Sequence, residues 1–116
     1  MEKIYYLPKD QIQPLVSGFA GAIASDMIMV DGLPVCFMYR ESPRHDQDSG
    51  WRFMSGQETD EYANNSENLA YYNMNTIANY DRSIIPLLEA PAGSAFERNA
   101  GDEAFVEILD WDSDDE

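Results

Sequence analysis

The chain has 116 residues, 44% of them hydrophobic, which is enough for one compact domain and too apolar for a disordered polymer. Twenty-two acidic residues stand against seven basic ones, giving a formal charge of −15. A surface of that sign repels nucleic acid and anionic membranes and attracts a basic protein.

In chain order, Met1 to Ser17 is mixed. KIYYL has the composition of a short strand, ended by Pro8, and KDQIQP predicts a helical turn broken at Pro14. The next stretch, GAIASDMIMVDGLPVCFMYRE, predicts a hairpin. Its first strand runs from Ala22 to Val30, Asp31-Gly32 supplies the turn, and Val35 to Arg40 returns with period-two alternation. Pro34 has no amide for a ladder, so pairing is expected to start after it.

ESPRHDQDSG lacks periodicity and is expected to be a loop; WRFMS then predicts a strand with Trp51 and Phe53 on one face. Ser55-Gly56-Gln57-Glu58 matches a capping box, which explains Thr59, Asp60 and Glu61 as first-turn residues of a short helix ended by asparagines. Leu69 to Tyr72 predicts a strand. Asn75 is the expected cap of helix TIANY, and Asp81 or Ser83 that of a helical piece IIPLLEA. Ser94 to Arg98 and Ala104 to Leu109 predict two last strands around an NAGDE turn. The tail DWDSDDE, residues 110–116, is a like-charge run expected to fray, although Trp111 has the character to dock on the body.

The chemistry that could be catalytic is sparse. Zinc needs several Cys or His ligands, and the chain offers one of each, Cys36 and His45. An EF-hand loop started at Asp46 places Asp48 correctly at position 3. It then puts Gly50 at position 5, Trp51 where glycine belongs and Gln57 where the bidentate glutamate belongs. A looser carboxylate site for Ca²⁺ or Mg²⁺ stays open. His45 lies between Arg44 and Asp46 in a polar loop, where solvation explains it better than acid–base work. Cys36 lies mid-strand among apolar neighbours, which makes a thiol inert. No phosphate-cradling glycine motif is present, so no cofactor is expected. A single cysteine excludes an intramolecular disulfide, and with no visible signal peptide it points to bacterial cytoplasm. No apolar run approaches the roughly 20 residues of a membrane span.

Three stretches, SDMIMVDGLPVCFMYRE, DSGWRFMSGQETDEY and NMNTIANYDRSIIPLLEAPAGSAFER, together resemble a bacterial family. It was catalogued as domain of unknown function twenty-one eighty-five and later grouped with polymorphic-toxin immunity proteins as immunity family thirty-three. The resemblance runs from about Gly18 to Arg98. It implies a small α+β protein that binds and neutralises a cognate toxin, and it brings no catalytic residues. The expected fold is a single domain over residues 18–109, an antiparallel sheet with two or three short helices on one face. Residues 1–17 are expected to form an extension packed on it.

The resemblance marks Tyr39, Arg40 and Glu41, with Asp48, Gly50, Trp51, Arg52 and Phe53, as the signature. Two readings compete there. In the structural one, Arg40 or Arg52 pairs with Glu41 or Asp48 and orders the loop over Trp51. In the functional one, the loop itself meets the partner. A signature shared by proteins facing different toxins favours the structural reading. Partner contacts are then expected on Asp46, Asp60, Glu61, Glu67, Tyr71 and Tyr72, tyrosine being an anchor of large area and low rotamer cost. The other functions compatible with the sequence are a regulatory or housekeeping interaction module and, less well supported, a small carboxylate-metal enzyme. Oligomeric state is not legible.

Overall fold

The computed structural model describes residues 5–99, 101 and 104–108. Six strands form one sheet: β1 (Gly21–Ser25), β2 (Phe37–Arg40), β3 (Asp48–Met54), β4 (Leu69–Tyr72), β5 (Ala95–Glu97) and β6 (Val106–Glu107), in spatial order β4-β1-β3-β2-β5-β6. Three short α-helices accompany it: α1 (Asp26–Met29), α2 (Asp60–Ala63) and α3 (Met74–Tyr80). Single 3₁₀ turns occupy Lys9–Gln11 and Ser66–Asn68, and a longer 3₁₀ helix spans Arg82–Leu87. The α+β class is as expected. The sheet, however, is mixed, because β1 and β3 run parallel while every other pair is antiparallel.

The predicted hairpin does not form. Only the first residues of its apolar run, Gly21–Ser25, are strand; Asp26 then opens α1, with the Ser25 hydroxyl accepting the Met27 amide at 3.0 Å. Gly32 does adopt positive φ (80°), but it closes a helix: its amide donates to the Ile28 carbonyl and that of Leu33 to Met27. A left-handed glycine serves a helix C-terminus as well as a hairpin turn, and the competing helix cap decided between them. β1 is thereby freed from β2 and lies between β3 and β4.

Smaller corrections follow the same logic. The loop after Glu41 ends at Gln47, because Asp48 to Gly50 already belong to β3. Thr59, not Ser55, caps α2, accepting the Tyr62 amide at 3.1 Å. Half of the expected capping box does form: the Glu58 carboxylate reaches back and accepts from the amide of Ser55, and also from that of Gly56. Asn73, not Asn75, caps α3. Asp81 caps the next helical piece as expected, but that piece is 3₁₀ and carries Pro86 inside it. Tyr5 to Leu7 of the predicted KIYYL strand are not strand. The 110–116 tail with Trp111, and Ala100, Asp102 and Glu103 of the NAGDE turn, lie outside the described residues.

Cross-strand partners share a face of the sheet, so the register sorts the residues. Ala24, Phe53 and Met38 are opposite one another, as are Trp51 and Arg40. This face carries the core, where Trp51 and Phe53 stack at 5.9 Å against Met38, Ile28, Met74, Ile77, Ile84 and Leu88. Their period-two spacing placed both rings in one core, as expected. The Trp51 indole also donates to the Leu88 carbonyl at 3.0 Å, locking the 3₁₀ helix to β3.

Before β1, the chain is strapped along α3 by side chains. Asn75 Oδ1 accepts the amides of Leu15 and Val16, Asn79 both donates to and accepts from Gln13, and the Tyr80 hydroxyl accepts the Leu7 amide.

Candidate functional site

The signature residues converge on one place, the start of β3. Arg52 points away from the Trp51 face and is 2% exposed. Its guanidinium donates to Glu41 through Nε at 2.7 Å and to both Asp48 oxygens at 2.9 Å. A fixed guanidinium fork suits two such acceptors, where a lysine would satisfy them poorly. Hydrogen bonds from Arg52 hold the Asp48 carboxyl well below its usual range despite burial. Burial alone would lower the Arg52 pKa, but the bonds to Asp48 and Glu41 outweigh it and raise the value. Arg44, largely exposed, approaches Glu41 at 3.7 Å.

The backbone bends to make this cluster. Gly21 of β1 pairs with Asp48 and Ile23 with Arg52, so β1 advances two residues while β3 advances four. Gly50 sits in that irregularity with φ of 92°, and a Cβ there would collide with the Glu41 carbonyl oxygen. Only glycine takes that conformation at that distance without strain. Asp48 Oδ1 also accepts the Gly50 amide at 2.8 Å, and Oδ2 the Arg44 amide at 3.0 Å, so one carboxylate fixes the strand and the loop before it.

Arg40 lies on the opposite face. It donates to the carbonyls of Ser49 and Ala90, and its guanidinium is 5.7 Å from the Trp51 ring. Tyr39 shares the Arg52 face and is half-buried, its ring 5.3 Å from Phe37.

The six residues expected to meet a partner are not brought together. Asp46 is exposed in the 42–47 loop; Asp60, Glu61 and Glu67 are exposed in the connection from β3 to β4. Tyr71 is 45% exposed on the Arg52 face, where His45 from the loop lies 5.5 Å from its ring. Tyr72, one residue on, faces the other way. It contacts Tyr5 edge-on at 5.8 Å, and its hydroxyl is buried without a hydrogen-bond partner. Burial pushes its phenol well above the ordinary value. A residue so turned is poorly placed as a surface anchor.

Sequence reasoning missed a second ion pair. Arg98 donates to Asp81 at 2.7 Å and to the Val35 carbonyl at 2.9 Å, while Asp81 accepts the Val35 amide. Asp81 was legible as a cap; its partner 17 residues away carries no local signal. Among the described residues, no three His, Cys, Asp or Glu side chains gather as metal ligands, and no helix is long and apolar enough to cross a membrane.

The Immunity protein Imm33 domain matches residues 22–109. The chain belongs to the Imm33 immunity family. No curated protein and no solved structure matches it. In this Imm33 chain, the matched span begins inside β1 and takes in all five later strands and the three α-helices.

Proposed function

We propose that this protein binds a cognate bacterial toxin, itself basic, and neutralises it in the cytoplasm by forming a protein–protein complex, without turnover. Membership of an immunity family across residues 22–109 is the observation that carries this reading. The geometry is in keeping with it. Asp48 and Glu41, the buried carboxylates of the signature, are both engaged by Arg52, so neither is a free acid or base. The formal charge of −15 suits a basic partner. In this reading the signature is scaffold, residues 18–109 are the toxin-binding domain, the described part of the segment before it, residues 5–17, is held on α3, and 110–116 are an acidic tail.

The test is co-expression with the toxin that a pull-down from the native host identifies as this protein's partner. Restored growth, together with a stoichiometric complex on size exclusion, is the expected result. Failure to restore growth, or protection at substoichiometric amounts without a complex, overturns the reading.

A further inference from the structure

Pro8 and Pro14 take two amides out of residues 5–17, which suits that segment poorly to a strand ladder. Apart from the Lys9–Gln11 turn it has no regular structure, and side chains of α3 satisfy its backbone instead. Asn75 and Asn79, one helical turn apart, hold the stretch around Pro14. Asn75 accepts the Leu15 and Val16 amides and donates to the Gln13 carbonyl; Asn79 accepts the Gln13 amide and donates to the same carbonyl. Nearer the N-terminus, the Tyr80 hydroxyl accepts the Leu7 amide at 3.1 Å, and the Tyr6 amide donates to the Met29 carbonyl at 2.8 Å.

Little of the segment is inside the molecule. Leu7, Ile12, Leu15 and Val16 are half-buried and the rest is exposed; Val16 packs against the edge of the core. Tyr5, Leu7 and Ile12 share a cavity with Met29, Tyr72 and Tyr80, and Tyr5 meets Tyr72 edge-on. The segment ends at Gly18, which is exposed, has φ of 87° and has no atom of the described residues within 4 Å of where its Cβ would stand. The first sheet strand, β1, begins three residues later. A glycine free of neighbours, between a side-chain-held segment and a strand, is a place where the chain can swing.

We propose that residues 5–17 are a latch that opens as one unit about Gly18, with Asn75 as its clasp, while α3 and the sheet stay folded. Segments that open below the global unfolding limit have few buried apolar contacts and solvent-exposed hydrogen bonds, and the bonds between Gln13 and α3 are exposed. The sheet is the opposite case, with Trp51 and Phe53 wholly enclosed. Opening uncovers Met29, Tyr72 and Tyr80, so the latch governs whether Tyr72 is presented to a partner or kept under Tyr5. The inference concerns the free protein and stands or falls independently of toxin binding.

Native-state hydrogen exchange on the purified full chain, followed amide by amide by NMR, tests it. The Leu7, Gln13, Leu15 and Val16 amides are expected to show one common protection factor. It should lie at least about 100-fold below that of Arg40 and Glu41, whose amides donate to Ser94 and Gly50 in the sheet. Asn75→Ala removes the acceptor of Leu15 and Val16 and puts a strong helix former in α3. It should lower the protection of all four amides about tenfold or more, Leu7 included, although the Leu7 bond to Tyr80 is untouched. Gly18→Ala strains the positive φ of the closed state and should lower all four together by about fivefold. Retained dispersion of the β1 and β3 amide signals establishes that each variant is folded. If Asn75→Ala exposes Leu15 and Val16 but leaves Leu7 at its parent value, the segment frays piecewise and the inference is overturned. It is overturned equally if the four parent amides are as protected as Arg40 and Glu41, or if Gly18→Ala leaves every protection factor at its parent value.

Discussion

Arg52 sits where a cation is least tolerated without partners and has two carboxylates to meet it. Removing it would leave the Asp48 side chain, fully buried, and the Glu41 side chain, 11% exposed, facing each other with only the exposed Arg44, 3.7 Å from Glu41, to offset them. Arg52→Ala is therefore expected to cost about 3–5 kcal/mol in urea unfolding, whereas replacing the cluster together by apolar residues of like volume should cost far less. Gly50→Ala, a change of one methyl, should destabilise by at least about 2 kcal/mol, because it meets both positive φ and the Glu41 carbonyl. The lowered Asp48 pKa fixes a pH dependence. The stability Asp48 adds is present in full above the unfolded aspartate value of about 3.9 and drains away as pH falls through the depressed folded value. Urea midpoints followed from pH 6 down to pH 2 should fall in the parent, and fall less steeply in Asp48→Asn.

At the scale of elements, alternation was legible and long-range pairing was not. Period two placed Trp51 and Phe53 in one core correctly, since a half-buried strand writes its face into the chain. Truncating Trp51 to Ala should cost about 3–5 kcal/mol, because the cavity is fully enclosed and the Leu88 carbonyl loses its donor. The hairpin expectation failed at Ser25-Asp26. A run of apolar residues fits strand or helix equally, and the only local arbiter was a serine placed to cap. Ser25→Ala should cost about 0.5–2 kcal/mol in equilibrium unfolding. The parallel pairing of β1 with β3 had no local trace, nor did the Asp81–Arg98 pair, since neither depends on neighbours in sequence. At the candidate site, Arg52 realises two of the four pairings the residues allowed, one with Glu41 and one with Asp48.

For the whole molecule, the proposed basic toxin would be met under the control of charge. Salt screens exposed charges over about 8–10 Å at physiological strength. Raising salt should slow association with the toxin far more than it speeds dissociation, and Asp60→Asn with Glu61→Gln should do the same at low salt. Stopped-flow association rates measured across ionic strength decide it; a rate independent of salt would make the acidic surface a solubility feature. High pH works against the fold for a different reason. Burial raises the phenols of Tyr62, Tyr72 and Tyr80, so they favour the folded state only while neutral. Their contribution is complete below the unfolded tyrosine value of about 10 and is lost as pH rises beyond it.

The position of β1 between β3 and β4 also sets the order in which the chain can fold. Ala24 meets Phe53 and Ala70, and Met38 meets Phe96, so β1 finds both its neighbours, and β2 its second, only across long stretches of chain, while β2 and β3 pair across the short 41–47 loop. The β2–β3 pair is the one local hairpin among the described strands of the N-terminal half, and β1 has no such local partner. During synthesis, β1 has no complete pairing until residue 72 has left the ribosome, and β2 none until residue 97 has. The non-local pairings of β1 work against the fastest folding, and a nascent chain cut short before β5 is an open-edged sheet exposed to aggregation.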